Sequence, residues 1–158
     1  MREKTCCFTG HRKIPDCDIE RVKLALKEEI KKKIEEGVLY FGAGGALGFD
    51  TLAERAVLEL KKDYPDIKLI LVLPCPEQDK YWTSSEKLEF EEIKQKADKV
   101  TMVEKAYTPY CMHKRNRRLV DFSAHCICYL TGSSGGSAYT VNYAMSKGLS
   151  VVNIAQGL

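Results

Sequence analysis

The chain has 158 residues, 30% of them charged, and a formal net charge of only +3. That length suits one domain over residues 1–158, large enough to bury about two-thirds of its unfolded surface without a metal or disulfide staple. The modest charge excludes a strongly basic nucleic-acid coat, so any basic site must be local.

The first residues, MREKTCCFTG, contain no apolar signal core, and no apolar run approaches the roughly 20 residues a membrane helix requires. The expectation is a cytoplasmic protein with no membrane partner. Seven cysteines, an odd number in a chain without a signal peptide, argue against a disulfide framework. Cys6 and Cys7 would face opposite sides of a strand, Cys126 and Cys128 are strand-spaced, and no C-x-x-C metal spacing occurs. They read as small core hydrophobes, and no metal is expected.

In chain order, KTCCFTG at 4–10 reads as the first strand. It ends in Gly10, His11 and Arg12, where an imidazole and a guanidinium stand in position to meet a phosphate or carboxylate. A helix follows, with Ile19, Val22, Leu26, Ile30 and Ile34 at helical spacing, Asp16 and Asp18 in front, Lys31 to Lys33 near the end and Gly37 as the stop.

The second strand, VLYFG at 38–42, runs into GAGGALGFD at 42–50. Strand, glycine turn and helix start together suggest an anion cradle, because glycines let backbone N–H groups approach a ligand and the helix adds free donors. The spacing of Gly42, Gly44, Gly45 and Gly48 fits neither G-x-G-x-x-G, where Leu47 replaces the last glycine, nor a P-loop, which needs Lys-Ser or Lys-Thr after Gly48. On the next helix, from Asp50 to about Lys62, Asp50 and Glu54 share a face one turn apart. Two such carboxylates suit ribose hydroxyls, a metal ion or a leaving group. The competing reading has Asp50 complementing the helix N-terminus and Glu54 solvated.

The third strand, KLILVLP at 68–74, is nearly continuous in apolar residues, as a parallel strand buried on both faces should be. Its loop, PCPEQDKYW, offers Gln78 for a base edge and Tyr81 or Trp82 for stacking. A helix over 84–97 and a strand over 99–103 come next. The helix over 110–123 carries Lys114, Arg117 and Arg118 on one face, while Arg115 projects toward the side of Leu119. Arg115 is therefore the preferred phosphate ligand, and the other cations read as a solvated face or a nucleic-acid footprint. After the strand at 125–130, TGSSGGSAYTVNYA at 131–144 opens a helix over 136–147 with a second glycine turn. Gly135, Gly136, Ser137 and Thr140 make it a second anion cradle, and LSVVNI at 149–154 closes the chain as a sixth strand.

Alternating strands and helices imply βαβ crossovers: an α/β, three-layer Rossmann-like fold with a mainly parallel sheet of about six or seven strands and helices on both faces. Ligands of such folds bind beyond the carboxyl ends of the strands.

FTGHR at 8–12, GGALGFDTLAE at 44–54, the Gln78 and Trp82 loop, RNRRLVD at 115–121 and GGSAYTVNYA at 135–144 together resemble the SLOG superfamily. That Rossmann-like group includes the DNA-processing protein A family and the Lonely Guy enzymes, and the likeness is greatest to the bacterial YpsA-like branch. The resemblance implies a pocket for a nucleotide or nucleotide-derived ligand, with Asn116 joining the residues named above, and a homodimer or higher homo-oligomer. Arg115 would fall on the catalytic arginine of the Lonely Guy hydrolases. Their PGGxGTxxE turn carries a catalytic glutamate, whereas here Val141 or Asn142 stands near that place and no acid lies between Gly135 and Met145. Acid–base help would then fall to Asp50, Glu54 or Asp121. Ala124 and the Leu130-Thr131 pair also depart from the YpsA-like pattern, which shows Asp after Ser and Asp before Gly there.

The leading expectation is binding, with a sensing role, of a phosphorylated nucleotide-derived small molecule, with no cofactor required. The runner-up is hydrolysis of an N-glycosidic bond in a nucleoside monophosphate. Single-stranded DNA binding ranks third because the net charge is small.

Overall fold

Each apolar segment becomes a strand of one sheet in the computed structural model, which describes residues 1–158. The strands are β1 (Thr5–Gly10), β2 (Tyr40–Ala43), β3 (Lys68–Leu73), β4 (Lys99–Met102), β5 (His125–Tyr129) and β6 (Ser150–Asn153). All neighbours pair in parallel, in the order β4-β3-β2-β1-β5-β6. The helices between them are α1 (Ile19–Glu35), α2 (Phe49–Leu60), α3 (Ser84–Lys96), α4 (Cys111–Asp121) and α5 (Gly136–Ser146).

Strand order and crossover handedness fix the layers. From β1 to β4 each crossover steps the same way, so right-handed connections put α1, α2 and α3 on one face; the chain then returns past β1, putting α4 and α5 on the other. The core divides accordingly. Val22, Leu26 and Ile30 of α1, Ala53 and Val57 of α2 and Phe90 and Ile93 of α3 pack with Cys6 and Phe8. Leu119 and Val120 of α4 and Val141 and Ala144 of α5 pack with Cys7, Cys126 and Cys128. Cys6 and Cys7 thus serve opposite faces as core hydrophobes. All seven thiols are free, only Cys17 is exposed, and burial pushes the Cys128 thiol up to about 12.

Two helices do not cover six strands. On the α4 face, Tyr40, Gly42, Ile70, Val72 and Thr101 floor a cavity of about 570 Å³ beside Leu119 and Phe122. The end of α1 also differs from a solvated basic run, because Lys33 is buried with Nζ 3.1 Å from His125 Nδ1 and 3.4 Å from Glu36 Oε2. No helix is long and apolar enough to cross a membrane. The strand order reverses at β1, whose neighbours β2 and β5 lead to opposite edges, so the crevice between the ends of β1 and β5 is the switch point.

Candidate functional site

A cavity of about 320 Å³ lies at that switch point. The end of β1 supplies Gly10, His11 and Arg12, the turn before α2 supplies Ala46 and Asp50, α4 supplies Arg115 and Asn116, and the turn after β5 supplies Gly135, Gly136 and Ser137. Its two lips are tied together. His11 Nε2 accepts the Thr131 N–H at 2.9 Å, and the ring meets Tyr129 edge-on at 5.8 Å between centroids. Asn153 then grips both backbone groups of Leu130, at 3.1 and 2.9 Å.

The first glycine turn is not an open cradle. Glu54 Oε2 accepts the Gly45 N–H at 3.0 Å and Asp50 Oδ2 accepts the Ala46 N–H at 3.2 Å, so the chain's own carboxylates occupy the donors expected to face a ligand. The start of α2 is covered as well, since the Phe49 N–H donates to the His11 carbonyl at 3.0 Å. Gly48, at φ +78°, leaves room for the Arg12 backbone, into which a Cβ would run. Gly44 and Gly45 pack against Arg115, Leu73 and Phe90 and are not lining residues of the cavity. These glycines therefore join loops to one another.

The second turn is open. Gly135 precedes α5 at φ +98°, no side chain caps the helix, and Gly135, Gly136 and Ser137 all line the cavity. Uncapped N–H groups of a first turn, carrying the positive end of the helix dipole, favour an anion.

Arg115, 4% exposed, lines the same cavity. Its Nε donates to Asn116 Oδ1 at 2.7 Å, and Nη1 donates to the Gly44 carbonyl at 2.5 Å and to Gln78 Oε1 at 3.2 Å. Nη2 reaches only the Met112 sulfur, at 3.7 Å. Every partner is uncharged, and no carboxylate lies within 4.0 Å. A buried guanidinium held by neutral groups keeps a charge that no paired carboxylate offsets, and its outer nitrogen, on a weak acceptor, has N–H donors to give to an anion.

Burial raises the carboxyl of Asp50, against the pull of Arg115 and of the Ala46 and Gly44 backbone. Burial, followed by the Asp50 charge, raises Glu54 well above its ordinary value. Glu54, 1% exposed, keeps its proton more readily of the two. The solvated alternative for Glu54 is thereby overturned: it sits in the apolar stripe of α2, while Arg55 turns outward to Glu89 and Glu92.

A model of the YspA SLOG family matches residues 7–151. The chain belongs to that family. The SPbeta prophage-derived protein YoqJ of Bacillus subtilis is similar to it, 33% identical over 138 residues, which cover 77% of this chain and 81% of the relative. The UPF0398 protein YpsA of the same organism is 26% identical over 129 residues, 76% of this chain and 72% of the relative. Among solved structures, DNA processing protein A from Streptococcus pneumoniae superposes with a TM-score of 0.69 at 20% identity, over 93% of this chain. The Helicobacter pylori protein of that name, described for its single-stranded DNA binding mode, gives 0.67 at 19% identity over 95% of this chain. The match spans 48% of the first of these proteins and 64% of the second, and the likeness shows a shared Rossmann-like fold.

Besides Gly44, Gly45, Gly48 and Glu54, four residues expected from the sequence do not line this SLOG-family crevice. Trp82 packs on Phe90 at 5.1 Å between centroids and covers the core. Gln78 engages Arg115 and the Gly45 carbonyl, the latter at 3.3 Å. Thr140 is buried with its hydroxyl on the Gly136 carbonyl at 3.0 Å. Asp121 sits at the far end of α4, exposed, accepting from the Tyr143 hydroxyl at 2.7 Å. Conversely, Phe8, Thr9, Ala46, Met112, His113 and Ser134 line the cavity although the sequence reading gives them no site role. Met112 and His113 lie one turn or less before Arg115, and that spacing alone was a signal for them.

Proposed function

We propose that the chain binds a phosphorylated, nucleotide-derived small molecule in the β1–β5 crevice and acts as a sensor of it, with no further cofactor. The observation that carries this reading is the buried Arg115, whose partners are all neutral, lining one cavity together with the uncapped start of α5. A phosphate between them would receive the guanidinium, the helix N–H groups and the Ser137 hydroxyl together. Thermal shift with a panel of nucleotides, ADP-ribose and ribose phosphates tests it. Stabilisation that disappears in Arg115→Ala supports the proposal, and no stabilisation by any member overturns it.

Hydrolysis of an N-glycosidic bond is the alternative that Asp50 favours, as the one candidate acid lining the cavity. Chromatographic release of free base from nucleoside monophosphates, abolished in Asp50→Asn, would establish it. Single-stranded DNA binding draws on the Helicobacter neighbour and on the exposed Lys114, Arg117 and Arg118 of α4. It requires affinity that falls steeply with salt and with Arg117→Ala. Self-association belongs to the same proposal, and the uncovered sheet face beside Leu119 and Phe122 offers it an apolar surface. Sedimentation of Phe122→Glu as a lighter species than the parent chain would support that surface.

A further inference from the structure

The loops beyond β3 and β4 leave a second cavity, of about 500 Å³, whose apolar wall is Cys75, Tyr81, Ala106, Tyr107 and Met112. We infer that this groove is a nucleobase subsite, continuous with the phosphate crevice, in which the base lies against Tyr81 and Tyr107. The inference rests on the proposed reading of the crevice.

Continuity comes first. Met112 lines both cavities, so they share a wall. Gln78 lines the groove and accepts from Arg115, which lines the crevice. A ligand whose phosphate met Arg115 would thus stand beside Met112 and Gln78, two residues that border the groove.

The chemistry changes across that boundary. The crevice presents a guanidinium, hydroxyls and glycine backbone, whereas the groove presents aromatic rings, a thioether and a thiol. Tyr81 is 89% exposed and Tyr107 63%, so neither ring stabilises the core. Exposed tyrosines flanking an apolar groove suit a flat heterocycle, which gains stacking on either ring while its edges stay wet. The Tyr107 N–H donates to Glu77 Oε2 at 3.1 Å, which joins the two loops, and the Lys80 ammonium lies 5.4 Å from the Tyr81 ring centre. Glu77 also lines the groove, and its carboxylate accepts further hydrogen bonds from a base that carries an amino group. The shared chemistry is a nucleobase joined to a phosphate, whether free or at the end of a strand.

Calorimetric titration of the full chain with adenosine monophosphate, ribose 5-phosphate and a short single-stranded oligonucleotide, repeated on Tyr81→Ala with Tyr107→Ala, tests the subsite. The parent chain should bind adenosine monophosphate about tenfold or more tightly than ribose 5-phosphate, and the double variant should lose that preference with ribose 5-phosphate binding unchanged. Equal affinities in the parent chain, or a preference that survives the double variant, overturn the subsite and leave the crevice standing. Binding of none of the three ligands overturns both. A preference seen only with the oligonucleotide, steep in salt, assigns the groove to strand ends; one seen with the mononucleotide assigns it to a free nucleotide.

Discussion

Arg115 Nη1 donates to the carbonyl of Gly44, and a Cβ on Gly44 would lie 2.5 Å from that same nitrogen. The glycine is there because the guanidinium is there. A turn that looked built to admit a ligand instead admits a side chain, and the side chain is aimed from it into the crevice.

Gly44→Ala should therefore act at a distance from the ligand. Gly44 is not among the positive-φ residues, so alanine meets crowding without backbone strain. The guanidinium must shift, Nη2 leaves its position, and binding of the phosphorylated ligand should weaken about tenfold or more, or about 1.4 kcal/mol. Circular dichroism should show the parent's secondary structure. Ligand affinity equal to the parent's would show that Arg115 does not set it.

Glu54→Gln should stabilise the protein at neutral pH. The Glu54 carboxyl is raised well above 4.5 by burial and by Asp50, so the folded state holds its proton more tightly than the unfolded chain. Stability from that proton is full below the unfolded value of 4.5, falls by about 1.4 kcal/mol per pH unit as pH rises from there toward the raised value, and is lost once pH has passed through it. Glutamine keeps an oxygen for the Gly45 N–H and has no proton to lose. Urea denaturation at pH 5 and pH 8 should show the variant gaining on the parent as pH rises. Parallel profiles would mean that Glu54 does not carry the raised value.

The same pair shows what was legible in the sequence. Strands and helices were, because LILVL marks a doubly buried strand and the spacing of Val22, Leu26 and Ile30 marks a helix whose apolar face needs a sheet. The inward aim of Arg115 was legible from Leu119 one turn on. The burial of Glu54 follows from its place within the stripe Ala53, Ala56, Val57 and Leu60, and the solvated alternative gives weight to its charge over that place. Asp121 lies away from the crevice for a geometric reason: α4 starts near the strand ends, and 11 residues at about 1.5 Å each carry its last residue to the opposite edge. The filling of the first glycine turn by Asp50 and Glu54 depends on side-chain directions, which spacing does not convey.

Lys33→Met should leave stability within about 1 kcal/mol of the parent or raise it. The ammonium is buried against a histidine nitrogen and the mostly exposed Glu36, partners that return little for its desolvation. Methionine keeps the aliphatic stem packed. Lys33→Ala removes the stem as well and should cost about 2 kcal/mol or more. Denaturant midpoints of the two variants separate charge from packing, and a methionine variant as unstable as the alanine one would assign the ammonium a structural role.

Gly48→Ala and Gly37→Ala separate backbone strain from loop contact. Both glycines have positive φ, +78° and +99°, which costs an L-residue about 1–2 kcal/mol. Around Gly37 nothing lies within 4 Å of a Cβ, so alanine there meets strain alone. At Gly48 the Cβ would run into the backbone of Arg12, and the loop bearing His11 and Arg12 must move away from α2. That movement breaks the Phe49 N–H bond to the His11 carbonyl and withdraws two lining residues from the crevice. Gly48→Ala should therefore cost more stability than Gly37→Ala and should alone weaken phosphate-ligand binding, as read by denaturant midpoints and calorimetry. If both variants lose only the strain energy and bind as the parent does, the β1 loop is free of α2, and the crevice does not need that contact to hold its shape.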